Sequence, residues 1–186
     1  GGGFVCCLAE PTKPARRPAI PGPGAAPGIE HYLRNAPGDI PVRITLVLYG
    51  EDTLETRHFD SAEQALEAAD AATGMVRWLN VDGLNAEAVD RVCRHYGVHT
   101  LAAEDVLNTF QRPKLEFFAD HLQATVRQIQ VIGDKLKNEQ VSFFLFRDTL
   151  ISFQEEAGDV FDPVRRRLQT PGSRFRSHRA DYLFYA

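Results

Sequence analysis

The most informative segment of the chain reads HTLAAEDVLNTFQRPKLE and runs from His99 to Glu116. Good helix formers dominate its first half, which predicts a short helix from Thr100 to Asn108. Arg112-Pro113 interrupts the helical pattern and predicts a polar loop. The segment therefore combines a short helix and a loop, and the helix carries two adjacent carboxylates, Glu104 and Asp105.

Glu104 and Asp105 are the first candidates for a functional site. Neighbouring side chains on a helix diverge by roughly 100°, so the pair cannot easily chelate one ion on its own. It could line an interface where a partner supplies further oxygens to Mg²⁺, which binds through one or two carboxylates and keeps its waters. The alternative is an acidic helix face that contacts only solvent, and the spacing alone favours that alternative.

The segments around this helix predict a sheet covered by helices. Val42 to Leu48 alternates in the manner of a strand with one buried face. Further strands are predicted at 54–59, 76–81, 122–131, 141–146 and 150–153, and further helices at 61–73, 85–96, 159–168 and 178–186. This order of elements predicts an α/β or α+β fold with a mixed sheet.

Three local features refine this prediction. Ser61 with Gln64 predicts a capping box at the start of its helix, and Asn85 predicts an N-cap. The alternation from Leu122 to Val126 loses its phase before Ile129, which predicts a β-bulge near Arg127-Gln128.

Composition indicates a folded, slightly acidic protein. Hydrophobic residues make up 44% of the chain and the net charge is −4, which does not suggest a general affinity for nucleic acid. Cys6, Cys7 and Cys93 form neither a disulfide framework nor a zinc ligand set, which fits a reducing, cytoplasmic setting. No apolar run approaches the roughly 18 residues of a membrane span, and we find no signal peptide.

Residues 1–41 form a separate compositional zone. Eight prolines alternate there with glycine and alanine, which disfavours regular helix or sheet. We expect a flexible, extended tail over 1–41, a folded domain over 42–177, and the start of a further helix over 178–186.

The histidines and the central cysteine are weaker candidates for a functional site. His95 and His99 have the spacing of a metal pair, but Gly97 between them should end the helix, so we interpret the pair as accidental. Cys93 lies on an apolar helical stripe and is predicted to be a core residue. No catalytic constellation or phosphate loop is recognisable, so we expect no enzymatic activity.

A basic segment near the C-terminus is a further candidate. It contains six arginines and no acidic residue: Arg165, Arg166, Arg167, Arg174, Arg176 and Arg179. These side chains could contact phosphates of RNA or of anionic lipid. The alternative, which we favour, is a solvated helix end whose positive charges complement the helix dipole.

Several motifs occur in an order typical of a known family. They are Trp78–Leu84, Gly97–His99, Glu104–Asn108, Gln111–Lys114 with Glu116, Glu139–Ser142, Phe153–Glu155, Gly158–Arg165 and Ala180–Leu183. Together they resemble the N-terminal domain of the CorA family of divalent-cation transporters over residues 42–186.

The resemblance implies an α/β/α sandwich on the cytoplasmic side of the inner membrane, with the last helix continuing as a stalk into membrane helices. It implies a homopentamer that moves Mg²⁺, with Co²⁺ or Ni²⁺ as possible substitutes. Glu104 and Asp105 match the positions where regulatory Mg²⁺ binds between subunits, opposite carboxylates of the neighbouring stalk. The resemblance implies no nucleic-acid partner.

Two other functions remain open at this point. A zinc transporter of the same superfamily would share the architecture but carry a different ion. A soluble module that binds phosphate or RNA through the arginines of 165–179 would belong to a different class, and its binding would weaken with salt.

Overall fold

A seven-stranded sheet forms the centre of the structure, a computed structural model that describes residues 28–34, 41–156 and 160–186. Its strands are β1 (Arg43–Tyr49), β2 (Leu54–Phe59), β3 (Val76–Asp82), β4 (Lys114–Phe117), β5 (Leu122–Ile132), β6 (Lys135–Leu145) and β7 (Thr149–Gln154). The strand order is β2-β1-β3-β7-β6-β5-β4. Within the described residues β3 and β7 form the one parallel pair, and the sheet is therefore mixed.

Helices cover both faces of this sheet. They are α1 (Glu30–Arg34), α2 (Ala62–Ala71), α3 (Ala86–His95), α4 (Thr100–Leu107), α5 (Asp162–Gln169), α6 (Arg174–Ser177) and α7 (Ala180–Tyr185). Side chains from α1 to α4 pack in one core, and side chains from α5 to α7 pack in a second core on the opposite face. The architecture is an α/β/α sandwich, which confirms the predicted fold class.

The central strands separate these two cores. Ile44, Leu46 and Leu48 of β1 point into the first core, whereas Val47 and Tyr49 point into the second. The prediction of a single buried face on β1 is therefore wrong. A strand in the middle of a sheet covered on both sides buries both of its faces, and alternation in the sequence does not reveal this.

Polar side chains cross the parallel pair inside the second core. Trp78 Nε1 on β3 donates to Ser152 Oγ on β7 at 3.0 Å, and Ser152 Oγ donates to Asn80 Oδ1 at 2.6 Å. Trp78 is 1% exposed, and Phe161 packs edge-on against its ring at a centroid distance of 5.4 Å. The β3–β7 pair is thus held by buried hydrogen bonds as well as by its backbone.

The predicted bulge is absent. Strand β5 pairs with β6 in an unbroken register from Leu122↔Leu145 to Ile132↔Lys135. Ile129 and Val131 are instead 64% and 74% exposed on the outer part of the β5–β6 hairpin. Their phase differs from that of Ala124 because they point to the opposite face of the strand, not because a residue is inserted.

Two further local features differ from the sequence prediction, and a third agrees with it. Strand β4 was not predicted, because four residues with only two apolar side chains give too short a pattern. Ser61 begins α2 but its side chain makes no capping hydrogen bond. Asn85, in contrast, accepts a hydrogen bond from the Ala88 N–H at 3.1 Å, which confirms the predicted N-cap of α3.

Residues 28–34 are not extended. They include the short helix α1, and Ile29 and Tyr32 are 0% and 3% exposed in the first core. Proline is frequent in the 1–41 zone as a whole but absent between Pro27 and Pro37. Ile29 and Tyr32 belong to this proline-free stretch. The predictions for residues 1–27 and 35–40 lie outside the described part of the chain.

Candidate functional site on helix α4

Helix α4 is fixed at its start by local hydrogen bonds. Gly97, with φ of +71°, turns the chain after α3, a conformation that favours glycine. His99 is then the N-cap of α4, and its Nδ1 accepts a hydrogen bond from the Leu101 N–H at 3.2 Å. His95 lies in α3 and pairs with Asp70 at 3.1 Å. The two histidines therefore serve different local contacts, as the interpretation of an accidental pair predicted.

The spacing of apolar residues on α4 decides which side chains reach the surface. Ala102, Ala103, Val106 and Leu107 are buried against the first core. Glu104 and Asp105 occupy the intervening positions and remain partly exposed. Their carboxylates turn to different partners, so α4 presents two separate acidic positions instead of one chelating pair.

Glu104 contacts the N-terminal segment. Its Oε2 accepts a hydrogen bond from the Gly28 backbone N–H at 2.6 Å. Tyr32, on the same segment, is buried, and its hydroxyl has no hydrogen-bond partner among the described residues. Burial, together with the negative charges of Glu104 and Asp105, raises the pKa of Tyr32 to about 12. Helix α1 thus lies close enough to the acidic positions for their charges to act on it.

Asp105 contacts the loop and strand that follow the helix. Its Oδ1 accepts from Gln111 Nε2 at 2.9 Å, and its Oδ2 pairs with Lys114 Nζ at 2.6 Å. Lys114 Nζ also lies 2.6 Å from Glu116 Oε2. Partial burial by itself would lower the pKa of Lys114, but the hydrogen bonds to Asp105 and Glu116 outweigh it and raise that pKa. The ammonium group is therefore firmly protonated beside Asp105.

Side chains from β5 and β6 bind the backbone at the end of α4 and in the loop that follows it. Gln140 Nε2 on β6 donates to the Asp105 carbonyl oxygen at 2.9 Å. The Gln140 backbone N–H in turn donates to Glu155 Oε1 at 2.7 Å. Arg127 on β5 donates to the carbonyl oxygens of Thr109 and Gln111 at 2.7 and 3.0 Å. These contacts fix the end of α4 and the following loop, and hence the position of Asp105.

The donor atoms on α4 fit a hard divalent cation. Carboxylate oxygens are the preferred ligands of Mg²⁺, which takes one or two of them and completes its shell with water. Glu104 could offer a carboxylate oxygen after giving up the Gly28 N–H, and Asp105 could offer one after giving up the Lys114 ammonium. Within residues 28–34, 41–156 and 160–186, no group of three or more His, Cys, Asp or Glu side chains is arranged to hold a metal ion.

Comparison with known proteins identifies the family. The family model described as CorA-like Mg²⁺ transporter protein matches residues 74–186, more than half of the chain. This chain belongs to the CorA family. It is 38% identical over 137 residues to the cobalt/magnesium transport protein CorA of Thermotoga maritima, a match that covers 71% of this chain and 38% of that protein. The chain thus spans well under half the length of this CorA relative.

Comparison with solved structures concerns the fold. The solved full-length CmaX protein superposes with a TM-score of 0.55 at 17% sequence identity, over 74% of this chain and 42% of that chain. At this identity the likeness shows the fold alone. CorA-family proteins are transporters rather than enzymes. In the described part of the chain, no helix is both long and apolar enough to span a membrane.

The six arginines of the basic segment lie on α5, on α6 and next to α7, and four of them have partners inside this CorA domain. Arg165 lies over the Trp78 ring and Arg167 over the Phe175 ring, at 5.1 and 5.8 Å from the centroids. Arg176 Nε donates to the Leu168 carbonyl oxygen at 2.7 Å, and Arg179 pairs with Asp148 at 3.0 Å. Most of these charges are therefore engaged within the domain. Arg166, Arg167, Arg174 and Arg179 are all exposed.

Cys93 is the remaining reactive residue that the sequence singled out. It is 2% exposed in the first core, and burial raises the pKa of its thiol far above the ordinary range, with a smaller contribution from Asp90. A thiol in this state is a poor nucleophile. Its place in the CorA fold is that of a core side chain, as predicted.

The sequence indicated the two carboxylates of the candidate site but not their surroundings. Gly28 lies 76 residues before Glu104, and Gln140 lies 35 residues after Asp105. Gln140 belongs to one of the motifs that carry the CorA resemblance, but the motif alone does not show that its amide reaches the α4 backbone. No pattern in the sequence indicates that Tyr32 packs beside the site.

Replacing Tyr32 by phenylalanine is expected to reduce the loss of stability at alkaline pH. Tyr32 has a pKa of about 12 in the folded state against an ordinary 10.0, so the unfolded chain loses its proton first. The free energy of unfolding therefore falls as pH rises from 10 towards 12, by about 1–2 kcal/mol for this group. Urea denaturation of both proteins at about pH 9 and pH 11.5 measures the difference.

Tyr49 and Tyr96, whose pKa values are also raised by burial, remain in both proteins and provide the common background. At neutral pH the Tyr32→Phe variant should be as stable as the parent, because it removes a buried hydroxyl that has no partner among the described residues. Equal alkaline losses in parent and variant would contradict the raised pKa.

Proposed function

We propose that this chain is the cytoplasmic Mg²⁺-sensing domain of a CorA-type divalent-cation transporter. The observation that supports the proposal is the position of Glu104 and Asp105, on the partly exposed side of a helix that is anchored at both ends. The match to the CorA family model includes both residues. In this proposal the pair is one half of a metal site, and a neighbouring subunit supplies the other half.

The residues of this chain would act through charge. Glu104 and Asp105 present negative charge to the neighbouring subunit of a homopentamer, whose stalk carboxylates face them. Like charges across such an interface repel, which loosens the contact and allows the subunits to tilt. A bound Mg²⁺ ion supplies the positive charge that offsets this repulsion, and the ring is then held in its closed form. A coupling of about 1–3 kcal/mol at each interface is enough to shift gating.

The anchoring of α4 matters for this role. Gln140 holds the backbone carbonyl of Asp105 and Arg127 holds the backbone of the loop after α4, so the carboxylate position changes little when its partner changes. Metal binding can shift the position of a subunit only if the ligating carboxylate is held in place. A flexible side chain would instead follow the ion without moving the subunit.

The larger protein would place this domain on the cytoplasmic side of the inner membrane. Residues 42–177 would form the regulatory domain, and 178–186 would begin a stalk that leads to the membrane helices. The transported ion is Mg²⁺ in this proposal, with Co²⁺ or Ni²⁺ as substitutes. A flux assay with each ion in liposomes, with Zn²⁺ as the competing candidate, tests this assignment.

Replacing Asp105 by asparagine in the full-length transporter is expected to weaken inhibition by internal Mg²⁺. The amide keeps the size of the side chain but removes the charge that attracts the cation, so the half-inhibiting Mg²⁺ concentration should rise at least about fivefold. Mg²⁺ uptake into liposomes loaded with graded internal Mg²⁺ provides the measurement.

Asp90→Asn is the matched control for this experiment. Asp90 also lies on a helix, also pairs with a basic side chain, and has a side-chain exposure of 18% against 23% for Asp105. The control should retain the inhibition of the parent protein. An Asp105→Asn transporter that Mg²⁺ inhibits as strongly as the parent would refute the sensing role.

A further inference from the structure

Lys114 occupies the approach to Asp105. Its ammonium lies between two carboxylates, 2.6 Å from Asp105 Oδ2 on α4 and 2.6 Å from Glu116 Oε2 on its own strand. Lys114 and Glu116 are two residues apart on β4, and alternate residues of a strand point to the same face. Strand β4 therefore holds the ammonium against the helix.

A divalent cation cannot share Asp105 Oδ2 with this ammonium. Mg²⁺ ligates oxygen at roughly 2.0–2.1 Å, and a cation at that distance would stand within a few ångströms of Nζ. Two positive charges so close repel strongly, and more strongly at a partly buried position than in open water. The Lys114 side chain is 28% exposed and that of Asp105 is 23% exposed. Lys114 must leave Oδ2 before metal binds there.

Glu116 makes this displacement feasible. When the ammonium leaves Asp105 it keeps Glu116 as a partner, so no charged group is left buried and unpaired, which would otherwise carry a large penalty. Gln111 still donates to Asp105 Oδ1 at 2.9 Å and can hold the carboxylate in place during the exchange. The cluster therefore has two low-energy states, with either lysine or an external cation at Asp105.

We propose that Lys114 is a tethered cation that competes with Mg²⁺ for Asp105, and that this competition sets the Mg²⁺ concentration at which the sensor responds. The inference rests on the proposed function of Asp105. One ammonium shared by Asp105 and Glu116 leaves a net negative charge at the cluster, but it raises the Mg²⁺ concentration that metal binding at Asp105 requires. The Mg²⁺ concentration at which the sensor responds then depends on Lys114 of this chain as well as on the carboxylates of the opposing subunit.

Replacing Lys114 by glutamine in the full-length transporter is expected to lower the half-inhibiting internal Mg²⁺ concentration about two- to fivefold. This is the factor expected when a partly exposed ion pair no longer has to be broken. The matched control is Lys137→Gln. Lys137 also bridges two carboxylates, Glu139 at 2.5 Å and Glu156 at 2.9 Å, and its side chain is 30% exposed. The control should leave the half-inhibiting concentration unchanged.

Varying the ionic strength distinguishes direct competition between Lys114 and Mg²⁺ at Asp105 from the long-range effect of removing a positive charge. Removing any positive charge raises the attraction for cations at long range, but salt screens that effect, with a Debye length of about 10 Å at 0.1 M and about 3 Å at 1 M. The ratio between parent and Lys114→Gln should therefore persist at about 0.5 M monovalent salt. A ratio that falls to one at this salt concentration overturns the inference.

The experiment distinguishes the inference from the function on which it rests. If Asp105→Asn relieves inhibition while Lys114→Gln leaves the Mg²⁺ threshold unchanged or raises it, the competition is refuted and the sensing role stands. If Asp105→Asn has no effect, the sensing role itself fails. Thermal unfolding of the Lys114→Gln variant, whose midpoint should lie within a few degrees of that of the parent, checks that the domain is intact.

Discussion

Replacing Trp78 by alanine is expected to lower the free energy of unfolding by about 3–5 kcal/mol, the range for truncating a buried aromatic side chain. Trp78 is 1% exposed at the centre of the second core. Its ring supports Phe161 and the Arg165 guanidinium, and its Nε1 donates to Ser152 across the parallel pair. Truncation leaves a large cavity and also removes the donor to Ser152.

Urea denaturation followed by circular dichroism is the suitable measurement, because the variant lacks the protein's single tryptophan. Trp78→Phe separates the cost of the cavity from the cost of the lost hydrogen bond to Ser152. It retains most of the ring but loses the hydrogen bond, so its cost should be smaller, about 1–2 kcal/mol. A loss below about 2 kcal/mol for Trp78→Ala would mean that the core closes over the cavity and that Trp78 does not hold α5 to the sheet.

Replacing Gln140 by leucine is expected to lower the free energy of unfolding by about 2–3 kcal/mol. Gln140 is 2% exposed, and its amide donates to the Asp105 carbonyl oxygen. Leucine fills a similar volume but cannot donate, so a carbonyl oxygen at the end of α4 loses its partner at a partly buried contact. Because the same bond positions Asp105, the variant should also bind Mg²⁺ less well in the proposed role.

Gln123→Leu is the matched control, and its expected effect has the opposite sign. Gln123 is 1% exposed and lies on β5, which is the neighbouring strand to β6. Both polar atoms of its side-chain amide lack a hydrogen-bond partner in the described part of the chain. Removing unpaired buried polar atoms should leave stability unchanged or raise it. Equal destabilisation by both leucines would show that volume, not the hydrogen bond, decides the effect at Gln140.

Local patterns predicted most of the elements correctly. Asn85 caps α3, Gly97 ends that helix region with a positive φ, and Val89, Val92 and Cys93 form the buried stripe that the 3.6-residue period predicts. These outcomes depend on contacts between residues close in sequence, which is why the sequence alone specifies them.

The failures depend on distant contacts. Ile129 and Val131 look like core residues of a strand, yet their side chains are exposed on the β5–β6 hairpin. Residues 28–34 look like a tail, yet Ile29 and Tyr32 reach the first core. In each case the neighbour that decides burial lies tens of residues away, and periodicity contains no information about it.

The same limit applies to the candidate site. The sequence identified Glu104 and Asp105 and showed, from their adjacency, that they diverge. It could not show that Gly28 contacts one carboxylate and Lys114 the other. The first contact joins residues 76 positions apart, and the second depends on the path of the loop after α4. The contact between the Lys114 ammonium and Asp105 can be recognised only from the structure of that loop.

The parallel pairing of β3 with β7 has a consequence for the order of folding. Strands β1 to β3 form one antiparallel unit and β4 to β7 form another, each with connections that are short in sequence apart from α2. The pair joining the units brings Arg77 beside Thr149, a contact that closes the longest loop in the sheet. Contacts between residues so far apart form slowly because chain entropy opposes them. The two halves are therefore expected to form first, and closure of the β3–β7 seam, with the burial of Trp78, to be the late and rate-limiting event.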